Sequence, residues 1–252
     1  MSKNFMWEQE LALVKIVVVE PAGALNVGAI ARVMKNFGLS QLILVNPQCD
    51  RTSEAARHMA VHAGDVLANA IEVATLPEAL QGCTRIIATT ARDRQWDLLE
   101  PARTALPWLI EAPKQQSALV FGPESRGLSN EELNFAQRFA RIPSSPNYAS
   151  LNLAQAVAIC CYELAQALDL PQSDRSSKPN NYAAFEELEG YYQHLEAVLL
   201  KIGYLYPHTA ASRMEKFRQI YNRAYLDKQE LGAIRGILTQ IEWALRAAET
   251  KE

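Results

Sequence analysis

Residues Leu119–Leu153 read LVFGPESRGLSNEELNFAQRFARIPSSPNYASLNL, and the reading of this stretch decides the fold. The apolar run Ala118–Phe121 has the character of a buried strand and enters a Gly122-Pro123-Glu124 turn directly. Ser129-Asn-Glu-Glu then supplies a helix start, a hydroxyl cap followed by acids in the first turn. A second apolar stub ends at Ile142 and breaks into the proline-rich loop from Pro143 to Tyr148. That loop feeds another helix, expected to begin at Ser150-Leu151-Asn152. Two strands thus each leave through a polar, glycine- or proline-bearing loop into a helix. Open α/β folds place their ligands at such loops.

Toward the N-terminus the same alternation repeats. Val14–Val19 is a β-branched run suited to a buried parallel strand. A loop from Pro21 precedes a helix predicted from about Asn26 to Asn36, with Gly38 just past its end as the cap. Further on the pattern predicts strands at Leu42–Val45, Ile71–Val73 and Arg85–Thr89. Helices are predicted at Ser53–His62, Leu76–Leu80, Pro101–Ala112 and Ser150–Leu168. Such alternation implies an α/β fold with a mostly parallel sheet covered on both faces.

After Leu168 the character changes. Residues 170–181 are polar with prolines toward both ends and read as a linker. The chain therefore divides into an α/β domain over 1–169, the linker, and a helical extension over 182–252. In the extension Phe185, Leu188, Tyr192, Leu195, Leu199 and Ile202 step by three and four, as do Leu231, Ile234, Leu238, Ile241 and Leu245. They predict two amphipathic helices packed on each other. Between them Arg213, Lys216, Arg218 and Arg223 interleave with Phe217, Tyr221 and Tyr225, and only Glu215 opposes them. That run reads as an RNA-backbone patch, the plain alternative being a solvated helix face.

Composition excludes several classes. With 252 residues and 49% hydrophobic content the chain buries a full core, and its net charge of −3 leaves nucleic-acid binding open. The four cysteines form no C-x-x-C pair, so neither a disulfide framework nor a zinc site is expected. His58 and His62 lack the glutamate of a zincin helix, and no metal is expected. No signal peptide and no run of ~20 apolar residues is present, so the expectation is a soluble cytoplasmic protein without a membrane partner. Dinucleotide-binding glycines, a P-loop and a nucleophile elbow are also missing. Two further stretches can carry chemistry. Asn26 can cap the first helix, small-sided Gly28, Ala29 and Ala31 permit close approach, and Arg32 lies one turn beyond Gly28 on the same face. A phosphate fits there, the alternative being an ordinary capped helix. Thr89-Thr90-Ala91 follows a strand, where hydroxyls bond a ligand or cap backbone.

In order along the chain, Asn26-x-Gly-x-x-x-Arg32, Leu119-Val-Phe-Gly-x-Glu124-x-x-Gly-Leu128 and Ser150-Leu-Asn-Leu-Ala154 resemble the three motifs of the SPOUT methyltransferases. More closely they resemble the TrmH group of RNA ribose 2′-O-methyltransferases. The linker, the helical tail and Thr90-Ala-Arg after a strand are similar to a branch of that group that methylates position 32 of the tRNA anticodon loop. The resemblance implies a C-terminal trefoil knot, an exception to unknotted folding. It implies S-adenosyl-L-methionine as cofactor, touched by Thr89, Thr90 and Ala91, with Gly122 and Ile142 around adenine and ribose and with Ala149, Ser150 and Leu151 closing the pocket. It implies tRNA as partner and a homodimer through the knot region, one subunit's Arg32 reaching the other's cofactor. Arg32, Ser150, Asn152, Glu124 and Asn26 are the implied catalytic set.

Methyl transfer is an in-line displacement, so the 2′-oxygen must approach opposite the departing sulfur at about 3 Å. A guanidinium with pKa above ~12 is a poor base, so Arg32 reads instead as a phosphate clamp that lowers the hydroxyl's effective pKa. Ser150 and Asn152 would position the hydroxyl or cofactor, and Glu124 and Asn26 would hold loop geometry or RNA. Ribosomal RNA as substrate and a non-catalytic RNA-binding protein are the alternatives.

Overall fold

The computed structural model describes residues 11–91, 99–112, 114–145, 147–148, 150–168 and 181–249, and the chain divides into two compact units between 179 and 180. Ala149, most of the expected linker and the N-terminal ten residues lie outside the described residues.

In the first unit the elements are β1 (Val14–Val19), α1 (Ala24–Asn36), β2 (Gln41–Val45), α2 (Glu54–Ala60), α3 (Gly64–Ala68), β3 (Ile71–Val73), α4 (Leu76–Leu80) and β4 (Cys83–Thr89). Then follow β5 (Leu99–Pro101), α5 (Ala102–Ala105) running into a 3-10 turn (Leu106–Ile110), β6 (Gln116–Phe121), α6 (Asn130–Leu133), β7 (Arg138–Arg141) and α7 (Leu153–Leu168). The seven strands form one parallel sheet in the order β3-β2-β1-β6-β4-β7-β5. The central strands are buried nearly along their length, as strands covered on both faces are.

The alternation expected from the sequence is the one observed, with local differences. Helix α1 starts at Ala24, so Asn26 is its third residue and not its cap; Gly23 occupies the cap position without a side-chain bond. Helix α7 starts at Leu153, three residues later than expected. Where a helix is predicted from Pro101, Leu99–Pro101 forms an edge strand paired only with β7. Proline is tolerated there because an edge strand leaves one side of its backbone without a ladder partner. The Gly38 reading holds: its φ is +77°, and the Leu39 amide returns to the Met34 carbonyl at 2.9 Å.

Of the two readings its sequence context allows, Gly28 shows close packing. It is buried, and a Cβ there would lie 2.2 Å from the Ala56 carbonyl oxygen of α2. The small residue permits helix-on-helix contact, while Arg32, one turn on, is exposed beyond that contact. Gly28→Ala is therefore expected to destabilise the unit by about 3 kcal/mol, through overpacking against backbone that cannot rotate away. Thermal unfolding should show a fall of roughly 6–12 °C, and an unchanged midpoint would contradict this packing.

The second unit is a three-helix cluster: α8 (Phe185–Lys201), α9 (Ala210–Ala224) and α10 (Lys228–Glu249). Its core holds Leu188, Tyr191, Tyr192, Leu195, Val198, Leu205, Met214, Leu226, Leu231 and Leu238. The buried stripe of α8 is wider than a two-helix seam because α9 also packs on it, which brings in Tyr191 and Val198. Ile202, expected in the seam, is 44% exposed beyond the end of α8. No described helix in either unit is long and apolar enough to cross a membrane.

Candidate active site

Sheet order brings three loops together. Strand β4 lies between β6 and β7, with Ala88 opposite Val120 and Thr89 opposite Ala140, so the three carboxyl ends are neighbours. The Thr90 amide donates to the Ala140 carbonyl at 3.0 Å, and the Thr89 hydroxyl donates to the Val120 carbonyl at 3.0 Å. Thr89 thus closes backbone first and retains only acceptor capacity for a ligand. Between the loops is a cavity of about 420 Å³ lined by Thr89, Thr90, Ala91, the turn Phe121–Leu128, Ala140, Ile142, Ser150, Leu151, Leu153 and Ala156. Among the described residues, every expected cofactor contact is on that lining.

The turn of the decisive stretch is closed by its own backbone. The Gly127 amide returns to the Pro123 carbonyl at 2.9 Å, and Gly127 takes φ +66°. A Cβ on Gly122 would lie 2.4 Å from the Gly127 carbonyl carbon and the Leu128 nitrogen, so glycine is required there by close approach. Ser129 then caps α6 in a full capping box with Glu132, as the sequence predicts.

Glu124, Asn26 and Asn152 form one polar chain. The Asn26 amide donates to Glu124 Oε1 at 2.8 Å, and the Asn152 amide donates to Asn26 Oδ1 at 3.1 Å. Asn152 Oδ1 in turn accepts from the Ala154 and Gln155 amides at 2.9 and 3.3 Å, so Asn152 caps α7. The order is dictated by chemistry. An ionised carboxylate only accepts, so each amide must present its NH2 group toward Glu124 and its oxygen away from it. Helix α1 carries no acid in its first turn; Glu124, which also accepts from the Ala22 amide at 3.4 Å, supplies the negative charge at that helix start. Ser150 is exposed on the cavity rim just before this cap.

Arg126, outside the expected catalytic and binding sets, lines the cavity and anchors the turn. Its guanidinium bonds Glu132 at 2.8 and 2.9 Å and Glu20, at the end of β1, at 2.9 Å. Its place between Glu124 and Gly127 was the available signal. Burial pushes the Glu132 carboxyl up, but the Arg126 guanidinium and the Ser129 amide outweigh it and hold the group below the usual carboxylate range. A depressed folded pKa contributes stability above about pH 4.3 that is lost as pH falls through the folded value. Glu132→Gln should flatten the acid side of a urea-midpoint profile; coincident profiles would contradict the pairing.

Arg32 is exposed on α1 and is not on the cavity lining. In the second unit Arg213, Lys216 and Arg223 are exposed, but Arg218 is not available. It makes a bidentate pair with Glu189, one arm at 2.8 Å, and lies 4.4 Å over the Tyr192 ring. Arg218 therefore braces α9 on α8, which corrects its expected place in an RNA patch.

A cavity of this volume suits one small molecule. Its walls combine Phe121, Leu128, Ile142, Leu151 and Leu153 with the hydroxyls of Thr90, Ser125 and Ser150 and the Glu124 carboxylate. That donor set fits a nucleoside bearing a zwitterion: apolar faces for a base, hydroxyls and backbone for a ribose, a carboxylate near positive charge. No group of three or more His, Cys, Asp or Glu among the described residues could hold a metal ion. Cys160 and Cys161 are buried in α7, where burial pushes Cys160 up to about 12, so neither is a nucleophile at neutral pH.

A parallel α/β sheet with a nucleoside-sized cavity at its strand ends defines a class of enzyme, and sequence comparison supplies the family. A model described as the SpoU rRNA Methylase family matches residues 13–162, and the chain belongs to that family. A model described as tRNA methyltransferase TrmJ, C-terminal domain, matches residues 186–252. Among similar proteins is the tRNA (cytidine/uridine-2'-O-)-methyltransferase TrmJ of Pectobacterium atrosepticum, 40% identical over 91% of this chain and 96% of that one. The crystal structure of TrmJ from Z. mobilis ZM4 superposes with a TM-score of 0.79 at 31% identity, covering 92% of this chain and all of that one. An AdoMet-bound rRNA methyltransferase from Sinorhizobium meliloti matches with a TM-score of 0.50 at 25% identity over 63% of this chain and 57% of that one.

Proposed function

We propose that the protein transfers a methyl group from S-adenosyl-L-methionine to a ribose 2′-hydroxyl of tRNA, at nucleotide 32 of the anticodon loop. The observation that carries the reading is the convergence of Thr89–Ala91, the Gly122–Leu128 turn and Ile142, Ser150 and Leu151 on one cavity. The family match and the TrmJ relatives support the reaction class and the tRNA substrate. Bound in the cavity, S-adenosylmethionine supplies an electrophilic methyl on a sulfonium. The chain's own residues do the rest. Gly122, Leu128, Ile142 and Leu151 bind the base and ribose and exclude water. The Glu124–Asn26–Asn152 chain fixes the start of α7, which holds Ser150 on the rim where the hydroxyl must arrive. Arg32 clamps the target phosphate and stabilises the developing alkoxide.

Because Arg32 is off its own cavity's lining, we read the active unit as a homodimer, paired through a C-terminal trefoil knot, in which the partner copy brings that cation. We assign 1–169 to the knotted methyltransferase domain, 170–181 to a linker and 182–252 to an RNA-binding extension, in the cytoplasm of a bacterial cell. Cofactor titration followed by methyl transfer to total tRNA tests the reaction, and mapping 2′-O-methyl groups lost in a deletion strain tests the position. Cofactor binding without tRNA product, or product on ribosomal RNA alone, would overturn the reading.

A further inference from the structure

The loop between α8 and α9 carries rings that the three-helix core leaves outside. Leu205 anchors it at 1% exposure, and Gly203 takes φ +75° to turn the chain out of α8. The amides of Tyr204 and Leu205 both return to the Leu199 carbonyl, at 2.9 and 3.0 Å, and the Thr209 amide donates to the Tyr206 carbonyl at 2.9 Å. The loop is fixed at both ends, yet Tyr204 and Tyr206, flanking the anchor, remain 52% and 56% exposed. The His208 ring lies 6.0 Å from that of Tyr206 and within 25° of parallel. The Arg213 guanidinium lies 5.7 Å from the Tyr204 ring centroid. At 3.6 residues per turn, Arg213, Lys216 and Arg223 fall within about 80° of one another on α9.

We propose that Tyr204 and Tyr206, continued by His208, are a stacking platform for unpaired RNA bases, with Arg213, Lys216 and Arg223 holding the adjoining phosphates. The inference rests on the reading of this extension as RNA-binding and names the feature of RNA it recognises. Rings fixed by backbone bonds lose little freedom on binding. A base offers a π-face whatever its identity, so the platform selects unpaired nucleotides over sequence. Cations beside exposed rings complement a phosphate backbone, and from 213 to 223 the only acid is Glu215.

The test uses the full-length protein with an unmodified tRNA transcript, a single-stranded oligoribonucleotide of about ten nucleotides and a duplex of equal length. The Tyr204→Ser/Tyr206→Ser variant should bind the tRNA and the single strand roughly 10- to 100-fold more weakly, with the salt dependence unchanged and duplex affinity unchanged. Tyr204→Phe/Tyr206→Phe keeps the rings and should bind as the unaltered protein does, which also guards against a folding defect. Arg213→Ala/Lys216→Ala/Arg223→Ala should weaken all three RNAs and flatten the salt dependence. If the charge variant weakens binding but the serine variant does not, stacking is overturned while the RNA-binding reading stands. Equal loss of duplex and single strand in the serine variant, or loss in the phenylalanine variant, also overturns stacking. If neither the charge nor the serine variant loses affinity, the RNA-binding reading falls with it.

Discussion

Arg32→Ala is expected to slow single-turnover methyl transfer to tRNA by roughly 10²- to 10³-fold, the usual cost of losing one donor aimed at developing negative charge. The fold should not notice. Arg32 is exposed on α1, and no hydrogen bond or ion pair holds it among the described residues. Cofactor affinity should be far less affected than rate, because the role proposed for Arg32 is on the target phosphate and the developing alkoxide, not on the cofactor. Arg32→Lys separates two roles: it keeps the charge but loses the planar fork that bonds a phosphate through two parallel arms. An intermediate rate is the expected result. Nearly full activity in the lysine variant would argue against a bidentate clamp, and full activity in the alanine variant would remove Arg32 from the mechanism.

Gly122→Ala should weaken S-adenosylmethionine binding and slow single-turnover methyl transfer by roughly 100-fold, since a displacement near 1 Å in a positioning element costs on that order in rate. The added carbon would sit 2.4 Å from backbone atoms of Gly127 and Leu128, and no side-chain rotation relieves such a contact. The turn must move, and both its limbs line the cavity. Calorimetric titration measures the loss. Ser125→Ala, on the same turn, removes a hydroxyl without adding volume and should cost much less. Unchanged cofactor affinity in Gly122→Ala would show that this turn does not cradle the ligand.

The central strands were legible because each carries a short apolar run, and Val14–Val19 and Ile71–Val73 have the bounds their patterns imply, whereas Leu99–Pro101 carries no such run. The Ser129 capping box was legible for the same reason: its chemistry is local to four residues. Asn26 was misjudged as a cap because its partners, Glu124 and Asn152, are 98 and 126 residues away. At Gly28 the sequence leaves two readings open, because a helix packing closely on a neighbour and a backbone waiting for a phosphate call for the same small residue; the contact with Ala56 is the one observed. Arg218 looked like its neighbours until Glu189 and Tyr192 claimed it.

Taken alone, the amino-acid order determined the α/β alternation, the helical extension, the Ser129 and Gly38 caps and the three motif loops, since each depends on residues within a turn or two of one another. Tertiary structure decided the rest: that β4 inserts between β6 and β7 and so gathers the loops at one cavity, that Asn26 joins Glu124 to Asn152, and which cations stay in solvent. Those outcomes depend on which distant groups satisfy a given donor, charge or gap, and burial is settled only when the whole chain has packed.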